Sequence, residues 1–111
     1  ALKNMVPQMQ GTPYPIATSA EANASFLEHD RKFTDRASVV RYLEEARDGF
    51  VRCIEAFAPE EIDRLVAMPF GLGEAPVHMF MVAGSNHTLG HVAQIEYIQT
   101  LYGDHDWHWG F

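Results

Sequence analysis

The chain has 111 residues, a formal charge of −7 and a composition that is 47% hydrophobic and 21% charged, values that exclude disorder, collagen-like repeats and low complexity. Its eight Lys and Arg are scattered among fifteen acids, so a polyphosphate finds no clustered cations and nucleic acid binding is not expected. No apolar run approaches the roughly 20 residues that cross a bilayer and no signal-peptide core opens the chain, while the single Cys53 excludes an internal disulfide; a cytoplasmic protein without a membrane partner is expected.

A chain of this size buries roughly 60 to 70% of its unfolded surface in one core, so residues 1 to 111 are expected to form a single helical-bundle domain. Residues 1 to 10 read as the end of a helix, since Pro7 lacks the donor that an interior turn needs, and Gly11, Pro13 and Pro15 close the segment. Such an opening suits a natural start after removal of an initiator Met, or a chain that has lost upstream helix. Residues 12 to 18 form a loop, and Ser19 is placed to cap a short helix through about His29.

Thr34 or Asp35 caps the next segment, in which Val39, Val40, Leu43, Ala46, Phe50, Cys53, Ile54 and Phe57 recur at spacings of three and four. That period is an amphipathic helix, and Cys53 on its apolar stripe reads as a buried, inert thiol rather than a nucleophile. Pro59 then opens a short helix over EEIDRLV, with acids in the first turn toward the helix dipole. MPFGLGEA connects it to a last helix that Pro76 starts and Gly103 ends, roughly 40 Å long at 1.5 Å per residue. No alternating run or Asn-Gly turn signals a strand. The expected class is therefore all-α, an antiparallel four-helix bundle in which the two long helices find partners in the short helices, in upstream residues or in another copy of the chain.

Within the last helix, SNHTLGHVAQIEYIQTLYG places His87 and His91 four residues apart. A turn of about 100° per residue sets them roughly 40° apart on one face, shared with Phe80, Gly84, Ile95, Ile98 and Tyr102, so both rings are expected to point into the bundle. Buried imidazoles cost free energy unless their nitrogens are satisfied. A divalent ion at about 2.0 to 2.1 Å satisfies both at once, and so would backbone carbonyls or tyrosine hydroxyls across the core. H-T-L-G-H lacks the glutamate of H-E-x-x-H, which argues against a zincin protease.

A stable metal site needs a third ligand. His78, about 13 Å back along the helix axis, and His105, beyond the helix end, are out of reach. His29, Glu45, Asp48 or a residue the chain does not contain are left. In the tail DHDWHWGF, Asp104, His105, Asp106 and His108 form a looser metal-like cluster; the plainer expectation is a tail that packs its tryptophans on the bundle end.

The run NHTLGHVAQIEYIQTLYG, an H-x-x-x-H followed by a glutamine three residues on, an apolar-aromatic stretch and a closing glycine, resembles the last helix of the DinB-like (damage-inducible) superfamily of bacterial metalloenzymes. The preceding order of a long helix, a P-E-E-I-D segment and a Gly-containing loop is similar too. The resemblance spans most of residues 1 to 111, with the last motif its specific part.

The resemblance implies a four-helix bundle in which three histidines hold a divalent metal, commonly nickel or zinc. His87 and His91 take the two ligand positions of the last helix, and Gln94 that of the motif glutamine. The family's first ligand lies on a helix before the loop corresponding to residues 11 to 18, where this chain has no histidine; either the N-terminal helix of the bundle is missing or the site is broken. The implied activity is that of a metal-dependent enzyme acting on a small-molecule substrate, either a transferase or isomerase using a low-molecular-weight thiol or a hydrolase. No residue reads as its general base, since Glu96 faces away from the ligand stripe. A reading from another class is a non-catalytic helical bundle that dimerises or binds a partner, its histidines structural. Leu89, Val92 and Ala93 on the far side of the helix would suit such an interface, a homodimer included.

Overall fold

The computed structural model describes residues 2–106 and 108. Helix α1 (Leu2–Met9) runs through Pro7. The donor missing at Pro7 is offset by packing, because Met9 is fully buried and Leu2, Met5 and Val6 pack against the core. Helix α2 (Ser19–Asp30) begins one residue after its cap. Thr18 Oγ1 accepts from the Glu21 amide at 3.2 Å while Glu21 Oε2 accepts from the Thr18 amide at 3.2 Å, a reciprocal capping box. Helix α3 (Arg36–Glu55) starts where Asp35 Oδ1 accepts from the Ser38 amide at 2.8 Å.

The expected helix over EEIDRLV is a single 3-10 turn, Pro59–Glu61, in which Glu61 Oε2 accepts from the Ala58 amide at 2.9 Å. The chain then forms a β-hairpin. Strand β1 (Leu65–Ala67) pairs antiparallel with β2 (Glu74–Pro76), with Val66 opposite Ala75. Between them Met68 N donates to Gly73 O at 2.8 Å. The turn needs left-handed backbone at Gly71 (φ 69°), Gly73 (φ 91°) and also Phe70 (φ 60°), a conformation glycine adopts freely and a bulky residue does not.

This hairpin corrects the expected class. The protein is mostly helical with a two-stranded antiparallel sheet, and its helices do not form an antiparallel four-helix bundle. Instead α1 packs on both α3 and α4 and meets β1, while β2 packs on α4. Met9, Phe50, Cys53, Val66, Ala75, Val77 and Phe80 make the core, so the hairpin supplies buried side chains where a bundle would use another helix. Arg64 Nη2 donates to Met9 O at 2.7 Å, tying the entrance of the hairpin to the end of α1.

Helix α4 (Val77–Leu101) leaves β2 directly, with Pro76 before its first turn and Gly103 in left-handed backbone (φ 89°) past its end, as a glycine stop requires. Its buried residues are Val77, Phe80 and Gly84, all in the first third. The remainder extends past its neighbours. His87, His91, Ile95, Ile98 and Tyr102 are therefore exposed rather than directed into a bundle core. They do share the face of Phe80 and Gly84, but the elements packed on that face end before they are covered. Among the described residues no helix is long and apolar enough to cross a membrane.

Candidate functional site

The i, i+4 spacing on α4 brings the two imidazoles together. His87 Nε2 and His91 Nε2 are 2.9 Å apart, with ring centroids separated by 4.5 Å and planes at 88°. His91 Nδ1 lies 2.9 Å from Gln94 Oε1. An amide oxygen only accepts, so His91 carries its proton on Nδ1 and leaves Nε2 with a free lone pair. The 2.9 Å contact is then a hydrogen bond donated by His87 Nε2 to His91 Nε2.

Two metal–nitrogen bonds of about 2.0 to 2.1 Å at a tetrahedral angle would separate the nitrogens by about 3.3 Å. The observed 2.9 Å is shorter than that, so holding an ion would require the rings to turn apart and the His87 proton to move to Nδ1. Partial burial, then the charge of neighbouring His91, holds the His87 pKa below the usual imidazole value. That shift favours the neutral ring a metal needs.

The pair opens onto a groove of about 1000 Å³. Lys3 and Gln8 of α1, Tyr14 of the loop after it, Phe26 and His29 of α2, and Tyr42 of α3 form its walls. The ring of His29 packs 5.2 Å from Phe33 and 5.1 Å from Tyr42, and Lys3 Nζ stands 4.3 Å from the Tyr42 centroid, within cation–π range. Gln8 is 5% exposed; its Nε2 donates to Asn4 O at 2.7 Å, but its Oε1 is buried without a partner.

The candidate third ligands do not join the pair. His29 faces the same groove, yet its ring is held in the aromatic cluster. Glu45 pairs with Lys3 at 3.3 Å, and Asp48 accepts from Arg47 Nε at 2.8 Å. His78 is bound elsewhere, its Nδ1 lying 3.1 Å from Asp63 Oδ1. Among the described residues no group of three or more His, Cys, Asp or Glu is placed to hold a metal ion.

In the tail, His108 Nε2 lies 3.1 Å from Asp104 Oδ2, and the Asp106 amide donates to Asp104 Oδ1 at 3.1 Å. The Asp106 amide first, and His108 second, hold the Asp104 carboxyl below the usual carboxylate range. Asp104 thus bonds both Asp106 and His108. The expected tryptophan packing falls on Trp107 and Trp109, which lie outside the described residues. Cys53 is buried, and burial pushes its thiol pKa up, in keeping with an unreactive core residue.

Lys3, Gln8, Tyr14 and Tyr42 carry no signal in the sequence. None belongs to a motif, and they reach the groove only because α1 crosses both α3 and α4. The chain matches no family model, no curated protein and no solved structure.

Proposed function

We propose that His87 and His91 bind a divalent cation, nickel or zinc, and that the protein is a cytoplasmic metal-dependent enzyme, a transferase, isomerase or hydrolase, acting on a small molecule held in the adjoining groove. The observation that carries this reading is the pair of Nε2 atoms 2.9 Å apart at the groove. The resemblance of residues 86 to 103 to the last helix of the DinB-like superfamily supports it and supplies the activity class, together with a low-molecular-weight thiol as co-substrate. His87 and His91 would give two points of attachment, short of the third histidine that the resemblance implies; water or substrate atoms would have to supply the rest.

A bound cation would polarise a carbonyl or lower the pKa of a water or thiol beside it. The residues around it have defined tasks. Gln94 fixes the tautomer and ring plane of His91, and His87 stays neutral to lower pH than an isolated imidazole. Tyr42 and Phe26 offer apolar wall to a substrate, and Lys3 would reach an anionic group on it by exchanging its Glu45 partner.

Metal analysis of the purified protein, with titration of nickel and zinc, tests this reading. About one divalent ion per chain is expected, lost in His87→Ala and in His91→Ala with the helical circular dichroism unchanged. Equal metal content in parent and variants would leave a helical module with structural histidines. Thiol-transfer and hydrolase assays on the metal-loaded protein then separate a catalytic ion from a structural one.

A further inference from the structure

Among the described residues one buried side-chain polar atom, Gln8 Oε1, has no hydrogen-bond partner. Gln8 is 5% exposed, and turning its amide over does not cure the defect. Its Nε2 donates to Asn4 O at 2.7 Å, and a flip would set two acceptor oxygens against each other. A buried carbonyl oxygen without a donor bears its whole desolvation cost, and folded proteins keep few of them.

The orphan belongs to the groove wall. Lys3, Asn4, Pro7 and Gln8 of α1 line the groove together, and Pro7 has no N–H to offer the Lys3 carbonyl one turn back. This wall is therefore rich in acceptors and short of donors. Its cation does not fill the gap, because Lys3 Nζ is engaged by Glu45 at 3.3 Å and stands over the Tyr42 ring. What the wall lacks is an N–H brought from outside.

The other walls restrict the molecule that brings it. Tyr14, Phe26 and Tyr42 present aromatic surface to a volume of about 1000 Å³, which suits a planar apolar body. An ammonium donor would be repelled by Lys3, and a carboxylate would turn acceptors toward Gln8 Oε1. A primary carboxamide has neither fault, being uncharged, planar and supplied with N–H groups. We infer that the groove takes a small aromatic carboxamide whose N–H donates to Gln8 Oε1. The oxygen is screened from bulk water, so the donor reaches it as the side chains over it part, and then meets no competing water. Regarding this ligand as the substrate rests on the proposed enzyme function. Its binding does not, since Gln8 lies on α1 and the paired histidines on α4.

Calorimetric titration of the full chain with benzamide, and with acetophenone, which has a methyl in place of the amide nitrogen, tests the inference. Benzamide is expected to bind with a Kd of about a millimolar, as a fragment of that size does, and ~10-fold more tightly than acetophenone. Gln8→Met, of similar length and without the oxygen, should keep the helical circular dichroism and abolish the preference. If that variant does not fold, the two probes on the parent decide. The preference should persist in His87→Ala and without added nickel or zinc, so failure of the metal reading leaves it standing. Equal binding of the two probes to the parent, no binding of benzamide well above that concentration, or a preference kept in a folded Gln8→Met would each overturn the proposal. So would a crystal structure with benzamide in which a buried water, and not the amide, bonds Gln8 Oε1.

Discussion

The Phe50 ring of α3 occupies the space that a side chain at position 84 of α4 would need. A Cβ built on Gly84 runs into Phe50 Cζ and falls 2.9 Å from Cε1, inside any relaxed carbon–carbon contact. Both residues are buried, so neither can swing into solvent. Gly84→Ala is expected to destabilise by about 1 to 3 kcal/mol through overpacking, lowering Tm by several degrees or more. Thermal melts of Gly84→Ala and of Gly84→Ala with Phe50→Leu check this, since the smaller side chain should restore part of the loss. Position 90 gives the contrast: nothing stands within 4 Å of a Cβ there, and Gly90→Ala should raise Tm through helix propensity alone.

In the proposed metal site Gln94 would act through His91. Replacing it with Ala removes the acceptor at 2.9 Å from His91 Nδ1 and lets the ring tumble between tautomers. Nickel or zinc affinity should fall roughly 10- to 100-fold, with Tm of the metal-free protein nearly unchanged because Gln94 is exposed. Isothermal titration of Gln94→Ala and Gln94→Glu separates orientation from sterics. The glutamate keeps an acceptor for Nδ1 and should retain most of the affinity, and an alanine variant that binds as the parent does would dismiss the positioning role.

Cys53 links burial to alkaline stability. Its thiol pKa is raised by burial, so the unfolded chain ionises at lower pH than the folded one. The stabilisation is fully present below the unfolded pKa and is lost as pH rises through the folded pKa. A Cys53→Ala variant should show a flatter fall in Tm at alkaline pH than the parent. Maleimide labelling of the native protein should be slow in mildly alkaline buffer, becoming fast only in denaturant.

The cap of α3 offers a local test of a helix start. Asp35 Oδ1 accepts from the Ser38 amide at 2.8 Å, and Asp35→Ala should cost about 1 kcal/mol, while Asp35→Ser should cost only a small part of that. Chemical denaturation of the three proteins measures the difference.

How much can be read from the residues alone depends on how local the cause is. Asp35, Pro76 and Gly103 mark helix ends through chemistry within one turn, and each stands at or beside the boundary it signals. The hairpin is different. Strands of three residues hold no alternation to detect, and the left-handed Phe70 puts an ill-suited residue where a turn signal would require glycine. The histidine face can be derived from helical period, which fixes the side of a helix but not what covers it. Burial of His87 and His91 is the expectation from that face, and the short reach of α1 and the hairpin along α4 prevents it.

Phe70 touches the groove indirectly. Its ring meets Tyr14 edge-on at a centroid distance of 5.6 Å, and Tyr14 is part of the groove wall. A guest that displaces Tyr14 strips away the aromatic contact that helps hold a phenylalanine in backbone it otherwise avoids. Loss of the Tyr14 ring would thus be felt in the hairpin turn as well as in the groove wall.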